Sequence, residues 1–431
     1  MGLEQAGFDV LACVEYDPVH CAVHEFNFPR TEVLCADASN LEPERLYRVA
    51  EAGAAKHGRS DWDGEIDAIV GGPPCQGFST IGKRLIDDTR NRLVFDFFRL
   101  VSALRPRYFV MENVPGMAAG GHSAILSRFV AEFEAAGYVT ASKVLNTADY
   151  GVPQLRRRLI VIGSREDQVE ATHPEPSTGP VPKVPGARAS HLRDGLPTGP
   201  TVWDAIGDLP DLDRFPALRG SDRTSLSDSV VERMDRKGSS YALALRGADP
   251  TDRSYPRRWD PALLTSSART IHTELSIRRF AKTTPGDTES VSRFYRLHPM
   301  GLCNTLRAGT GSERGAFTSP RPIHPKKPRV ISVREAARLH SIPDWFQLQA
   351  TKWHGFRQIG NAVAPLLGRA VGESLAEALA VRPATPRSKQ PLGDLRLLNM
   401  TMSEAAAYYE VGRDQIPAQR IRMPRPERIA A

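Results

Sequence analysis

The chain has 431 residues and a net charge of +7, with 41% apolar and 25% charged residues. That length suits two or three domains, and the apolar share is too high for a disordered chain. No apolar run approaches the ~18 residues of a membrane span, and no charged-then-apolar leader follows Met1, so a soluble cytoplasmic protein is expected.

A basic balance fits a polyanionic partner without requiring one. The five cysteines (Cys13, Cys21, Cys35, Cys75 and Cys303) are scattered and odd in number. They form no C-x-x-C pair, which argues against a disulfide framework and a structural zinc site, and no metal is expected.

Short apolar runs at Val10–Tyr16, Ile66–Val70, Tyr108–Met111 and Leu159–Ile162 read as buried strands. Amphipathic stretches lie between them, such as Leu93–Leu104 and Ser123–Ala136. The alternation predicts an α/β domain with a mostly parallel sheet covered on both faces. Ligands of such sheets sit at the carboxyl ends of the strands. Pro174–Pro200 is rich in Pro, Gly and Ser and reads as linker or irregular surface. The chain then stays rich in Arg, Gly and Pro with weak periodicity to about Pro328. Helical patterns return at Val333–His340 and Ala362–Ala380. Arg382–Gln390 resembles a second linker, followed by a short basic tail.

Chemistry-bearing residues gather at the expected sheet edge. GGPPCQGFST, residues 71–80, follows a strand and places Cys75 behind Pro73 and Pro74, whose φ angles are fixed. The thiol is either a buried structural group or a nucleophile, which would need an electropositive setting to form thiolate. In MENVP, Glu112 follows the YFVM strand. It is either a solvated loop residue or a positioned acid with a raised pKa. In QLRRR, Gln154, Arg156 and Arg158 share one face of an extended segment. They form either a solvated basic patch or guanidiniums aimed into one cleft. Glu15 in VEYD and Asp37 in CADA end strands in the manner of acids that take ribose hydroxyls.

Together these stretches resemble the DNA (cytosine-5) methyltransferases. PPCQGFS is similar to the nucleophile motif, and DDTRNRL to the segment after it. ENVPG resembles the acidic motif, and QLRRR fits Q-x-R-x-R. HPKKPRVISVREAARLHSIPDWF and RQIGNAVAP resemble the closing motifs. The order holds from Gly2 to about Leu379. The resemblance implies a Rossmann-like sheet that uses S-adenosylmethionine, with a smaller loop-rich target-recognition domain. The implied division is 1–185 catalytic, 186–328 recognition, 329–381 return to the catalytic domain, and 382–431 basic tail.

The resemblance also implies roles. Cys75 attacks C6 of a cytosine flipped out of duplex DNA, Glu112 engages N3, and Arg158 holds the O2 side. Pro74 shapes the pocket, and Arg156 orders Glu112 or nearby backbone. Glu15 binds ribose, Tyr16 lies beside the adenine, and Asp37 accepts from its amino group. Asn361 and Ala362 belong to the late cofactor-side motif. Gln76 and Ser79 lie on a loop that closes over DNA, and Thr305, in NTLR near the end of the recognition region, is expected to bind DNA. A monomer is expected, with a cognate restriction endonuclease as a possible partner. Two alternatives stay open: a tRNA cytosine-5 methyltransferase, and a truncated relative that binds DNA without chemistry. In the tail, SEAAAYYEVGR reads as a helix packed on the catalytic domain or as the first half of a helix-turn-helix.

The start departs from the family pattern. Relatives begin with a strand and an F-x-G-x-G-G turn, whereas GLEQAGF matches the helix after that turn. Either the start codon lies upstream of Met1 or the gene is a fragment, and the intact later motifs favour the first. Loss of a central strand would leave its neighbours with unpaired backbone groups. The chain as given is expected to bind S-adenosylmethionine poorly and to methylate weakly.

Overall fold

The computed structural model describes residues 1–73, 92–119, 123–179, 181, 184–188, 195–309 and 321–412. Pro74, Cys75, Gln76 and Ser79 therefore lie outside the described residues. Helix α1 (Gly2–Gln5) leads into β1 (Ala12–Glu15), α2 (Pro18–Asn27), β2 (Glu32–Cys35), α3 (Pro43–Lys56) and β3 (Ala68–Gly71). Then come α4 (Arg92–Leu104), β4 (Tyr108–Asn113), α5 (Ser123–Ala135), β5 (Tyr138–Asn146) and β6 (Arg157–Arg165). Local chemistry sets the helix starts. Asp17 caps α2 by accepting from the Val19 N–H, with Pro18 in the first turn, where its missing N–H costs nothing.

β1 pairs in parallel with β2, and β3 with β4. β6 then runs antiparallel to both β4 and β5, giving the order β3-β4-β6-β5. The expected mostly parallel sheet thus fails beyond β4. A parallel return needs a crossover of about a dozen residues or more. Segment 147–156 is too short for one and turns back at Gly151, whose φ is 77°. Among the described residues β1 pairs only with β2 and β3 only with β4, and Val70 on β3 is 44% exposed.

Alternation along β4 sends its side chains to two cores. Phe109 and Met111 pack with Phe97, Phe129 and Phe133 of α4 and α5. Tyr108 and Val110 pack under Leu367, Val371 and Leu375. Phe109 stacks on Phe133 at 3.8 Å between ring centroids. Its ring also crosses Gly163 of β6, where a Cβ would lie 1.9 Å from it. Glycine is required there by close approach rather than by conformation.

The middle region contributes α6 (Val202–Ile206), β7 (Thr224–Ser225), α7 (Asp228–Lys237), α8 (Ser240–Leu243), β8 (Leu263–Leu264) and α9 (Glu274–Lys282). The return contributes α10 (Val333–Leu339), α11 (Lys352–Asn361) and α12 (Pro365–Ala378). Val202, Ile206, Leu297 and Leu306 share one core with Ile331, Leu339 and Ile359. Arg338, fully buried, joins this core to the middle region through ion pairs with Asp208 and Asp344. The helix expected over Ala362–Ala380 starts later. Pro365 opens α12, and Ala364 before it is extended, as a residue preceding proline prefers. In the tail, α13 (Met402–Tyr408) packs on α2. No helix among the described residues is long and apolar enough to cross a membrane.

Gly163→Ala is expected to destabilise the fold by about 1–3 kcal/mol, because its Cβ overpacks a filled core. Urea denaturation of the purified chain measures this.

Candidate active site

Glu112 lies inside β4, paired with Ile160, rather than in the loop after it. Its side chain is mostly buried, and Oε1 sits 2.5 Å from Nε of Arg158. Residues 158 and 160 share a face of β6, so the guanidinium reaches diagonally across the ladder. The Glu112 carboxyl also lies against the end of β3, where a Cβ on Gly72 would stand 3.3 Å from Oε2. Any side chain at position 72 would press on the acid. Asn113 was not singled out from sequence, yet its Nδ2 donates to the Pro73 carbonyl at 3.4 Å. It ties the acid's strand to the chain just before Pro74 and Cys75. The only signal for it was its place inside ENVP.

Burial raises the Glu112 pKa above its ordinary value, and the charges of Arg158 and Arg156 offset part of that rise. Burial likewise lowers the Arg158 pKa, with Glu112 opposing. Both effects follow from removing charge from water. The pair can share a proton donor and a cation within one partly dry pocket.

Arg156, on the same face, does not enter that pocket. Its guanidinium donates to the carbonyls of Leu306, Gly360 and Ala362 at 2.9, 2.9 and 3.0 Å, and the residue is 2% exposed. Gln154 works beside it. Its Oε1 accepts from the Leu306 N–H, and its Nε2 donates to the Leu339 carbonyl. His340 meets both sides of this knot, through Gln154 and the Ala362 carbonyl. Thr305 donates its hydroxyl to the Leu155 carbonyl at 2.7 Å. The expected pair of guanidiniums in one cleft thus divides. Arg158 faces the acid, and Arg156 fastens backbone, supplying donors to the Leu306 and Gly360 carbonyls and sharing that of Ala362 with His340.

The cofactor-side residues lie at the ends of β1 and β2. Glu15 pairs with Cys35 in the parallel ladder, which puts Asp37 two residues beyond Glu15's partner at the same edge. Glu15 Oε1 accepts from the N–H groups of Tyr16 and Asp17 at 2.9 Å. Asp37 accepts from the Ser39 N–H, and Tyr16 is 40% exposed. Two cysteines not assigned a role support this edge. The Cys21 thiol donates to the Glu15 carbonyl, and Cys35 to that of Tyr16. Asn361 is exposed at the end of α11, and Ala362 is held through its carbonyl by Arg156 and His340.

With this geometry in hand, comparison defines the class. A solved structure described as a “putative DNA modification methyltransferase”, encoded within a prophage (E. coli), matches with a TM-score of 0.64 at 30% identity, covering 88% of this chain and 95% of its own. The class is therefore a DNA methyltransferase on a mixed α/β sheet. A family model for C-5 cytosine-specific DNA methylases matches residues 1–377, and the chain belongs to that family. It is 50% identical over 415 residues to the Type II methyltransferase M.XorII of Xanthomonas oryzae pv. oryzae, covering 95% of this chain and 89% of that protein. It is 32% identical to the Type II methyltransferase M1.HphI of Haemophilus parahaemolyticus, covering 87% and 82%.

Arg156→Met is expected to destabilise the protein by about 3 kcal/mol, because buried carbonyls lose their donor. Arg156→Lys recovers only part of this, since an ammonium cannot reproduce the guanidinium fork. Denaturant midpoints of the two variants measure the difference.

Proposed function

We propose that this C-5 methyltransferase modifies cytosine in double-stranded DNA as the modification arm of a Type II restriction system, in the cytoplasm and as a monomer. The observation that carries the chemistry is the Glu112–Arg158 pair at the carboxyl end of β4, against Gly72 and so within a few residues of Cys75. The tie to a restriction endonuclease rests on the likeness to named Type II methyltransferases.

The donor set fits S-adenosylmethionine. Two carboxylates end neighbouring parallel strands beside a partly exposed aromatic ring, a set suited to a ribose diol, an amino group and a flat base. Glu15, Tyr16 and Asp37 would hold it, with Asn361 and Ala362 nearby in the family pattern. When bound, it supplies an electrophilic methyl group.

The chain's own residues prepare the base. Flipping costs roughly a few kcal/mol and brings the ring beside the acid. The Cys75 thiolate adds to C6, forming a carbon–sulfur bond and pushing the ring's π electrons toward C5 and N3. Burial raises the Glu112 pKa and so favours the protonated form, which donates to N3 and stabilises the developing charge. Arg158 keeps the acid oriented and presents a cation to the O2 side. Pro74 shapes the wall beside the thiol, and Gln76 and Ser79 belong to the loop that covers the DNA. Arg156 holds the backbone on which this depends. Thr305 fixes the end of the recognition region to Leu155, which favours a positioning part over contact with bases.

Incubation with duplex DNA containing 5-fluorocytosine and S-adenosylmethionine is expected to give a covalent protein–DNA band that is absent in Cys75→Ser. No band from a folded chain that binds the duplex would leave the silent DNA-binding reading. Adducts on tRNA in preference to duplex DNA would favour the RNA-acting branch.

Glu112 also has a pH signature. Its folded pKa is raised, so its contribution to stability is complete below the ordinary value of 4.5 and is lost as pH rises through the folded value. Glu112→Gln is therefore expected to gain stability relative to wild type as pH increases from about 4.5, while losing turnover. Thermal melts across pH 4–8, run beside methylation assays, check both directions.

A further inference from the structure

We propose that residues 393–409 form a strap that positions the cofactor carboxylate Glu15 by bracing α2, a role that rests on the reading of Glu15 as a cofactor ligand. This segment lies beyond the family-matched span of 1–377. It nevertheless packs on α2, the helix that starts just after Glu15. The Gly393 N–H donates to the Phe26 carbonyl at 2.8 Å, and a Cβ on Gly393 would stand 2.9 Å from the Phe26 backbone. Leu397 and Leu398 are buried among Ala22, Val23 and Phe26. Tyr408 and Tyr409 donate their hydroxyls to the two oxygens of Glu25, at 2.8 and 2.6 Å. The strap therefore grips α2 by an apolar contact at its middle and a carboxylate clamp near its end.

The same helix holds the site on its other side. Cys21, next to the strap-packed Ala22, donates its thiol to the Glu15 carbonyl at 3.4 Å. Asp17 caps the helix by accepting from the Val19 N–H, and its own N–H donates to Glu15 Oε1. Within one turn of α2, the strap's contacts pass to the backbone that carries Glu15. Burial of Leu398 opposes rotation of α2, and the phenol–carboxylate bonds oppose its sliding. Loosening either lets Glu15 sample orientations that do not bind. The strap touches neither the Glu112–Arg158 pair nor the Arg156 knot, so its loss falls on cofactor affinity and spares the chemistry.

Four variants of the whole chain test this: Leu398→Ala, Leu398→Met, the double variant Tyr408→Phe/Tyr409→Phe, and Glu15→Ala. The probes are S-adenosylhomocysteine binding by calorimetry, duplex DNA binding by anisotropy, and the split between KM and kcat. Leu398→Ala is expected to weaken S-adenosylhomocysteine binding and raise KM for S-adenosylmethionine by about tenfold, with kcat at saturation within about twofold and DNA affinity unchanged. The tyrosine pair is expected to shift the same quantities by about fivefold. Leu398→Met is expected to restore them. Should Leu398→Ala fail to fold, the tyrosine pair alone decides. Unchanged cofactor affinity in the strap variants, or DNA affinity falling in step with it, overturns the proposal. If Glu15→Ala weakens binding while the strap variants do not, only the strap's role falls. If Glu15→Ala has no effect, the cofactor reading falls and takes the strap with it.

Discussion

The buried guanidinium of Arg156 is the contact on which the rest of the site depends. It gathers carbonyls from Leu306, at the end of the middle region, and from Gly360 and Ala362, at the end of α11. Burial lowers its pKa to about 9, with repulsion from Arg158 adding and Glu112 opposing, so it stays cationic at neutral pH. A cation taken this far from water needs paired donors, and here both terminal nitrogens bond to backbone from parts of the chain far apart in sequence, while Nε is buried without a partner. Gln154, His340 and Thr305 reinforce the same junction. With residue 156 fixed, the period of an extended strand puts residue 158 on the same side, two positions nearer the acid. Arg158 needs no further device to meet Glu112.

Much of this was legible in the sequence, and the gaps have physical causes. Apolar runs marked β1, β3, β4 and β6; β4 and the middle of β6 are buried on both faces and so continuously hydrophobic. β5 escaped notice because most of its residues are exposed or half-buried and several are polar. The antiparallel turn of β6 escaped because direction is set by the length of a connection, which periodicity does not report. Local pattern placed Gln154, Arg156 and Arg158 on one face but left their partners unknown. Those partners are carbonyls 150 and more residues away. Asn113 and Cys21 act through backbone atoms, which carry no sequence signal. In the tail, SEAAAYYEVGR was legible as a helix and forms α13 against α2, but the apolar pair Leu397 and Leu398 that docks the turn before it is too short a run to stand out.

The proposed base side, around Glu112, and the proposed cofactor side, around Glu15, are built differently. Around Glu112, order comes from side chains crossing the ladder and from Asn113 holding Pro73, so the acid, the cation and the approach to Cys75 share one rigid sheet edge. Around Glu15, order comes from the start of α2, with backbone N–H groups turned onto the carboxylate and thiols turned onto neighbouring carbonyls. The first arrangement suits a reaction that needs an acid held at one angle. The second suits a ligand that must enter and leave each cycle, because helix starts adjust more easily than ladders.

The central claim is that this chain places methyl groups on carbon 5 of cytosine in duplex DNA through Cys75. Bisulfite sequencing of plasmid DNA from cells expressing the chain measures it most directly. The account predicts conversion-resistant cytosines at one recurring short sequence, at any fraction of sites, and none in cells expressing Cys75→Ser. Full conversion of every cytosine despite abundant folded protein, or the same resistant positions with Cys75→Ser, would contradict it.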